Sequence, residues 1–388
     1  MTLFARAQWV GLSAIVVVAS VLLVLVGSSR ADAAAPDDAW SVNAAAPDTV
    51  AWRSVAWSPS AGVFVAVGTN TVMTSPDGVT WTARTIPAGG WDAVTWSPDL
   101  ALFAAVATSG ANRVATSPDG VTWTAVTPVG ITSSWSAIVW SPGRHQFLAT
   151  AVSSPVLSSA DGVTWTGAAN PGGPTLTHGL AWSPTLARFV TVTNNGAAAS
   201  PDGVAWTAGN LPAGAWRGVA WSPARNLFVA VGIGGANAVA TSPDGLTWTA
   251  APTPIAADLS AVVWSPEQEE FVAVGQRAVL SSPDGLVWSA VTNPAPTNSW
   301  NSVVWSAGSA RYVAVSTDGA QRTMVGIVPA VAPTAPPVSD GDAAPTATPD
   351  PELAATGATM APVVIAGALA IMMGFGMLLP GIRRRRAY

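Results

Sequence analysis

Short apolar stretches alternate along most of this chain with clusters of turn-forming residues, at a nearly constant period. In one repeat the apolar stretches predict strands at residues 54–57, 63–67, 71–74 and 79–83. Pro, Gly, Ser and Asn separate these stretches, and Pro76-Asp77-Gly78 predicts a tight hairpin between the last two strands. Four short strands in about forty residues, without a helical period, are typical of one blade of a β-propeller.

Two sequence motifs mark the repeats. Ser-Pro-Asp-Gly-Val-Thr-Trp and its looser copies recur every 40 to 42 residues and end at Trp81, Trp123, Trp165, Trp206, Trp248 and Trp288. Trp-Ser-Pro, with Ala for Pro in the last copy, recurs every 39 to 44 residues and begins at Trp57, Trp96, Trp140, Trp182, Trp221, Trp264 and Trp305. Seven copies of one motif and six of the other predict seven repeats, the last of which lacks the hairpin.

The last repeat, residues 300–327, has predicted strands at 302–305, 311–315 and near 322–325, but no fourth strand. Residues 39–42, Ala-Trp-Ser-Val, have the composition of the missing strand. Pairing them with the last repeat would close the ring and remove a free sheet edge. The sequence therefore predicts an all-β fold over residues 34–327: a seven-bladed β-propeller of four-stranded antiparallel blades, closed by an N-terminal strand.

Composition narrows the possible functions. Apolar residues make up 49% of the chain and charged residues only 10%, so the core is ample and the surface is mostly uncharged. The absence of Cys excludes disulfides, thiolate chemistry and Cys-ligated metals. All 16 basic residues are Arg, and a net charge of −5 gives no electrostatic footprint for nucleic acid. We expect no nucleic-acid partner, cofactor or metal.

Both ends of the chain carry targeting features. An apolar run at residues 9–26 predicts a helical signal peptide, residues 1–33, cleaved near Ala33; an uncleaved N-terminal anchor is the open alternative. Residues 328–352 are rich in Pro, Ala and Thr and predict an extended stalk. An apolar run within residues 358–388 predicts a transmembrane helix, and the four Arg that follow it are expected to stay on the cytoplasmic side. The propeller is thus expected outside the membrane.

The segment before the apolar run resembles a Gram-positive cell-wall sorting signal. It reads Leu353, Ala354, Ala355, Thr356 and Gly357, similar to the Leu-Ala-x-Thr-Gly form used by class E sortases. The resemblance implies a sortase as a transient partner, cleavage between Thr356 and Gly357, and transfer of Thr356 to a cell-envelope amine. The expected location is extracellular, anchored to the cell wall or, before processing, to the membrane. An ordinary membrane anchor with a coincidental pentapeptide is the alternative.

The hairpin motif resembles the Asp-box, or BNR, repeat of sialidases, sortilin-type receptors and photosystem II stability-factor propellers. Its shortened form, with Asp and Gly adjacent, is most similar to the last of these groups. We expect its carboxylates to hydrogen-bond turn amides, and its Trp to pack across the hairpin, rather than to bind a metal. The predicted structural Asp residues are Asp77, Asp119, Asp161, Asp202, Asp244 and Asp284.

At the start of most repeats an aromatic residue is followed by a polar residue that differs between repeats. Antiparallel topology places this position on the face opposite the hairpins. Repeats share what the fold needs and vary where a partner is recognised, which predicts a face for a glycan or protein ligand. An alternative remains open, in which the Trp residues cap the inner strands and the polar residues are only solvated. The predicted face comprises Trp52, Arg53, Trp91, Asp92, Trp135, His178, Trp216, Arg217, Trp300 and Asn301. The polar position is Ser136 in the repeat of Trp135, and Ser260 in one further repeat.

The sequence lacks the catalytic set of a sialidase, which needs an Arg triad, a Tyr–Glu pair and an acid. Tyr312 is the only Tyr of the propeller. Glu267, Glu269 and Glu270 share one turn, predicted on the hairpin side. We therefore expect a non-catalytic binding or adhesion module. An extracellular glycan hydrolase and an envelope assembly or scaffold factor are the alternatives.

Overall fold

The structure, a computed structural model, describes residues 39–43, 49–126, 133–151, 156–168, 177–194, 196–212, 214–234 and 238–327. This part of the chain is an all-β propeller, with a single turn of 3₁₀ helix at Pro142–Arg144. None of its helical segments is long and apolar enough to cross a membrane. The segments predicted at 1–33, 328–352, 353–357 and 358–388 lie outside the described residues.

After a single first strand, the strands follow one another in six groups of four and a last group of three. The first groups are β1 (Ala39–Val42), then β2 (Trp52–Ser58), β3 (Val63–Gly68), β4 (Thr71–Ser75) and β5 (Thr82–Arg84), then β6 (Gly90–Ser97), β7 (Leu102–Ser109), β8 (Val114–Ser117) and β9 (Thr124–Val126). Next come β10 (Trp135–Ser141), β11 (Gln146–Ala151), β12 (Val156–Ser159) and β13 (Thr166–Ala168), then β14 (Thr177–Ser183), β15 (Arg188–Thr193), β16 (Gly196–Ser200) and β17 (Thr207–Ala208). The last are β18 (Ala215–Ser222), β19 (Leu227–Ile233), β20 (Val239–Ser242), β21 (Thr249–Ala251), β22 (Asp258–Ser265), β23 (Glu270–Gln276), β24 (Ala278–Ser282), β25 (Ser289–Val291), β26 (Trp300–Ser306), β27 (Arg311–Ser316) and β28 (Thr323–Ile327).

These strands form five separate four-stranded sheets and one sheet of eight strands. The eight-stranded sheet runs from β18 to β25, and its two halves meet through the pair Ile233–Asp258. The prediction of seven blades requires this sheet to be counted as two. The first strands of successive groups, β2, β6, β10, β14, β18, β22 and β26, contact one another in turn, and β26 also contacts β2. The chain therefore closes into a ring.

Strand β1 lies where the sequence predicted the fourth strand of the last repeat. It pairs antiparallel with β28, with Trp40 opposite Gly326 and Val42 opposite Met324. The Trp40 ring stacks on Tyr312, with 5.9 Å between ring centroids. Position 326 must be Gly, since a Cβ there would lie 2.6 Å from the Trp40 ring. Residues from the two ends of the propeller thus share one sheet.

An aromatic pair recurs in every repeat. Trp57, in the Trp-Ser-Pro motif, lies opposite Phe64 of the neighbouring strand, with 4.3 Å between ring centroids. Such pairs stabilise a fold by about 0.5–1.5 kcal/mol beyond the area they bury. The equivalent pairs are Trp96–Phe103, Trp140–Phe147, Trp182–Phe189, Trp221–Phe228, Trp264–Phe271 and Trp305–Tyr312.

Candidate functional site

The six hairpins between third and fourth strands are built by one hydrogen-bond network. In the first, Asp77 Oδ1 accepts hydrogen bonds from the backbone N–H of Val79 (2.8 Å) and Thr80 (2.7 Å) and from Ser75 Oγ (2.9 Å). Trp81 Nε1 donates to the carbonyl of Gly78 at 2.9 Å. The same carboxylate contacts recur at Asp119, Asp161, Asp202, Asp244 and Asp284.

These contacts set the ionisation of the hairpin carboxylates. Burial opposes the charged form of Asp77, but hydrogen bonds from Thr80, Val79 and Ser75 outweigh it and lower its pKa. At Asp161 the Thr164 and Val163 amides lower the pKa to about 2. Each carboxylate is thus a charged acceptor that holds a turn together.

The hairpin geometry corrects one predicted strand. The fourth strand was expected at residues 79–83, whereas β5 begins at Thr82. The amides of Val79 and Thr80 donate to Asp77 and therefore cannot join the β ladder.

At the other end of each first strand, one residue is skipped in the pairing of the first two strands. Trp52 pairs with Gly68 and Ser54 with the adjacent Val67, so Arg53 has no partner in the ladder. This is a β-bulge, which bends a strand and re-aims side chains. The same shift occurs in all seven copies, and the skipped residues are Arg53, Asp92, Ser136, His178, Arg217, Ser260 and Asn301.

These seven residues line one central cavity of about 650 Å³. The next position along each first strand is small: Ser54, Ala93, Ala137, Gly179, Gly218, Ala261 and Ser302. One step further the lining is apolar, with Val94, Ile138, Leu180, Val219, Val262 and Val303. The cavity therefore changes from a polar ring at the bulges to an apolar ring deeper inside.

The cavity's polar ring and the hairpins lie at opposite ends of the propeller. Strand β2 runs from its bulge at Arg53 to a turn after Ser58; β3 returns, and β4 runs parallel to β2 to the hairpin at Asp77. The bulge lies at the start of β2 and the hairpin at the end of β4. The same strand order repeats in the other groups that carry a hairpin.

The aromatic part of the predicted ligand face must be corrected. Trp52, Trp91, Trp135, Trp216 and Trp300 are between 0% and 4% exposed and do not line the cavity. Each is the last paired residue before the bulge and packs into the core between sheets. Buried Trp N–H groups need acceptors, and Trp91 Nε1 donates to the carbonyl of Pro87 at 2.8 Å. Of the predicted face, the polar bulge residues line the cavity and the Trp residues do not.

One side of the polar ring carries Arg53, Asp92 and Asn301. Burial raises the pKa of Asp92, and the positive charge of Arg53 partly opposes this. Asn301 Nδ2 donates to the backbone carbonyl of Arg53 at 2.6 Å. Asp92 is the only carboxylate among the described residues that line the cavity.

A second pair, His178 and Arg217, comes from strands β14 and β18. Arg217 Nη1 lies 2.9 Å from His178 Nε2 and 3.3 Å from Nδ1. Burial, and then the charge of Arg217, lower the pKa of His178 to about 4, so the imidazole is neutral at neutral pH. Gly179 permits this approach, because a Cβ there would lie 2.9 Å from the Arg217 carbonyl oxygen.

The Glu residues that the sequence assigned to the hairpin side serve as structural acceptors. Trp305 Nε1 donates to Glu267 Oε2 at 2.6 Å, and the Tyr312 hydroxyl donates to Glu270 Oε1 at 3.0 Å. Tyr312 is buried, and none of the three Glu lines the cavity. Sequence reasoning missed this Tyr–Glu contact, which joins residues of different repeats. Within the described residues, no cluster of three or more His, Asp or Glu could hold a metal ion.

No family model and no curated protein matches this chain. Similar solved structures include YCF48 bound to D1 peptide, at 15% identity and a TM-score of 0.56, covering 74% of this chain and 94% of that one. A catalytically inactive virginiamycin B lyase from Staphylococcus aureus with quinupristin has 10% identity and a TM-score of 0.64, covering 74% and 98%. A chain of a mitotic checkpoint complex has 15% identity and a TM-score of 0.57, covering 75% and 91%. At these identities the likeness shows a propeller fold, and it does not decide between a binding protein and an enzyme.

Proposed function

We propose that this chain is a surface propeller anchored in the cell envelope, which binds its ligand in the central cavity without catalysing a reaction. The ring of seven bulge residues carries the proposal. The fold holds this position constant, yet five different residue types occupy it. The hairpins at the opposite end are nearly uniform. Variation confined to one ring of a repeat protein favours recognition there.

The proposal includes a seven-bladed propeller with Asp-box-like hairpins. It counts the eight-stranded sheet as two blades, because a single residue pair joins its halves. Each half has the same four-stranded order as the separate sheets, which supports the count. The fourth strand of the last blade would then be β1.

Binding is tested by probing glycan and protein arrays with the full chain and with Arg53→Ala, Arg217→Ala and Arg225→Ala variants. Arg225 is the matched control, since it lies in a turn at the hairpin end, in a surface pair with Glu269 (Nη2–Oε2 3.6 Å). We expect at least one cavity variant to lose at least about tenfold in affinity, because it removes one partner of a charged contact with the ligand. The Arg225 variant should bind as the parent does. Equal binding by all proteins would place the ligand elsewhere.

A glycan hydrolase is the alternative from another class, favoured by the perturbed pKa values of Asp92 and His178 in one cavity. A glycosidase of the usual type needs two carboxyl groups across its site, whereas Asp92 is alone in the described lining. Turnover of any glycan by the full chain, lost in Asp92→Asn, would replace the binding proposal.

Anchoring is proposed from the sequence features at the two ends, and it has its own test. Changing Thr356 and Gly357 to Ala should move the protein from the cell-wall fraction to the membrane fraction, because a sortase could no longer cleave the Thr–Gly bond. Thr346→Ala is the matched control, because it makes the same Thr-to-Ala change in the stalk, outside the motif at residues 353–357. Identical fractionation of all variants would contradict sorting by a sortase.

A further inference from the structure

We propose that the cavity is built for a monoanionic ligand that joins a carboxylate to an apolar group, with the carboxylate on Arg217 and the apolar group against the deeper ring. The inference rests on the proposed binding function and specifies the chemistry of that same site. Its basis is the unequal charge around the bulge ring.

Arg217 carries the charge that the cavity leaves uncompensated. The positive charge of Arg53 is near the carboxylate of Asp92 and favours its ionised form. The residue beside Arg217 is instead His178, which is neutral at neutral pH. In the described part of the chain neither Arg forms a salt bridge. With two Arg and one Asp, the ring has a formal charge of about +1 when Asp92 is ionised. One ligand carboxylate would therefore balance the cavity.

The His178 contact also orients the guanidinium. One end of the guanidinium lies against the imidazole, with Arg217 Nη1 at 2.9 Å from His178 Nε2 and 3.3 Å from Nδ1. A guanidinium has five N–H donors in a planar fork, so donors remain for an acceptor on the ligand. A carboxylate matches two parallel donors of such a fork, and charge-assisted bonds of this kind are about twice as strong as neutral ones.

The same two strands supply the apolar half of the site. Leu180 and Val219 follow His178 and Arg217 two positions later and line the cavity. Between them Gly179 and Gly218 add no side chain, and a Cβ at either position would lie about 3 Å or less from the backbone of the next strand. An anion on Arg217 is therefore followed, deeper in the cavity, by an apolar wall. A cavity of about 650 Å³ fits a small molecule or the end of a peptide.

The test measures binding by calorimetry to the full chain in lipid nanodiscs, with empty nanodiscs as the blank. The probes are 4-phenylbutyrate, its primary amide and acetate. Two tripeptides, acetyl-Ala-Ala-Leu with a free and with an amidated C-terminus, distinguish a peptide end from a free acid. We expect at least one free acid to bind at least tenfold more tightly than its amide, and acetate to bind more weakly than phenylbutyrate. Equal binding of acid and amide, or no binding of either acid, would overturn the inference.

Variants locate the carboxylate. Arg217→Gln should lose at least tenfold in acid binding and Arg217→Lys should lose less, while Arg225→Gln, at the hairpin end, should change it by less than threefold. Arg53→Gln should lose less than Arg217→Gln, because it removes one charge of the ring but not the group that holds the carboxylate. Thermal melts identify any variant that fails to fold, and Arg217→Lys then carries the test. Equal losses in Arg217→Gln and Arg53→Gln would contradict the assignment to Arg217. If an array ligand depends on cavity residues while the acids do not bind, the proposed function stands and this inference fails.

Discussion

Each first strand presents to the cavity one residue that the register of the strand pairing skips, and the properties of the site follow from these single positions. Among these residues His178 has a strongly lowered pKa, of about 4. Its imidazole loses hydration on burial and lies beside a permanent positive charge, and both effects oppose protonation. Folding therefore keeps His178 neutral under conditions in which the unfolded chain would protonate it. The free energy of unfolding of the protein therefore depends on pH.

We predict that the protein loses stability as the pH falls from about 6.5 to about 4, and that His178→Gln reduces this loss. In that window the unfolded chain takes up a proton at position 178 and the folded chain does not, so lower pH favours unfolding. The measurement is the free energy of unfolding in urea at several pH values, followed by Trp fluorescence.

His145→Gln is the matched control, since His145 is 76% exposed and lies outside the cavity. Asp92 contributes in the opposite sense, because its raised pKa lets the folded chain bind a proton first. The hairpin carboxylates act at lower pH, where their lowered pKa values make stability fall as they are protonated. Parallel pH profiles for the parent chain and His178→Gln would refute the buried neutral imidazole.

At the scale of the element, the hairpin repeats because its turn has narrow steric requirements. Gly78 has φ +75°, and a Cβ there would lie 2.6 Å from Val313 in β27 of the last sheet, which neighbours the first sheet in the ring. Left-handed backbone costs a non-Gly residue about 1–2 kcal/mol. The hairpin thus packs one sheet onto another, which is a structural reason for its uniformity.

Gly78→Ala should destabilise the protein by about 2–4 kcal/mol, from left-handed strain and overpacking together. Gly62→Ala provides the control, because Gly62 has φ +61° but no atom within 4 Å of its Cβ position. It should cost only about 1–2 kcal/mol. Urea unfolding of both variants measures the difference, and equal costs would show that the contact with Val313 contributes nothing.

The sequence predicted the elements better than the site. The motif period identified the propeller, and residues 39–42 were placed correctly in the last sheet, because both depend on local pattern. The sequence did not reveal the bulge, because the pairing register depends on two strands together. Nothing in the sequence around Arg53 indicates that the ladder skips this residue. For the same reason Trp52 was assigned to the ligand face, although it pairs with Gly68 just before the bulge and is buried. The pairing of His178 with Arg217 joins two repeats and could not be predicted from either.

At the scale of the whole molecule, the ring is closed by contacts between its first and last groups. Ser302 Oγ accepts a hydrogen bond from the amide of Val55 at 3.2 Å, and Arg311 Nη1 donates to the carbonyl of Asp77 at 2.8 Å. Strand β1 adds a second form of closure by completing the sheet of β26–β28. A cavity lined by all seven first strands needs this closed ring.

Trp40→Ala should therefore destabilise the entire propeller, by about 3–5 kcal/mol as for other buried Trp side chains. Trp40 is 8% exposed and stacks on Tyr312, whereas its neighbour Ser41 is exposed, so Ser41→Ala is the control. The urea midpoint followed by Trp fluorescence should fall for Trp40→Ala alone. An unchanged midpoint would show that β1 does not hold the ring closed.

The central claim, that ligand is recognised in the cavity ringed by the bulge residues, is tested most directly by the structure of the full chain with a ligand identified on the arrays. The claim predicts ligand density within hydrogen-bonding distance of Arg217 or Arg53, and none at the hairpin carboxylates. Density at the hairpin end, with the central cavity unchanged, would contradict it.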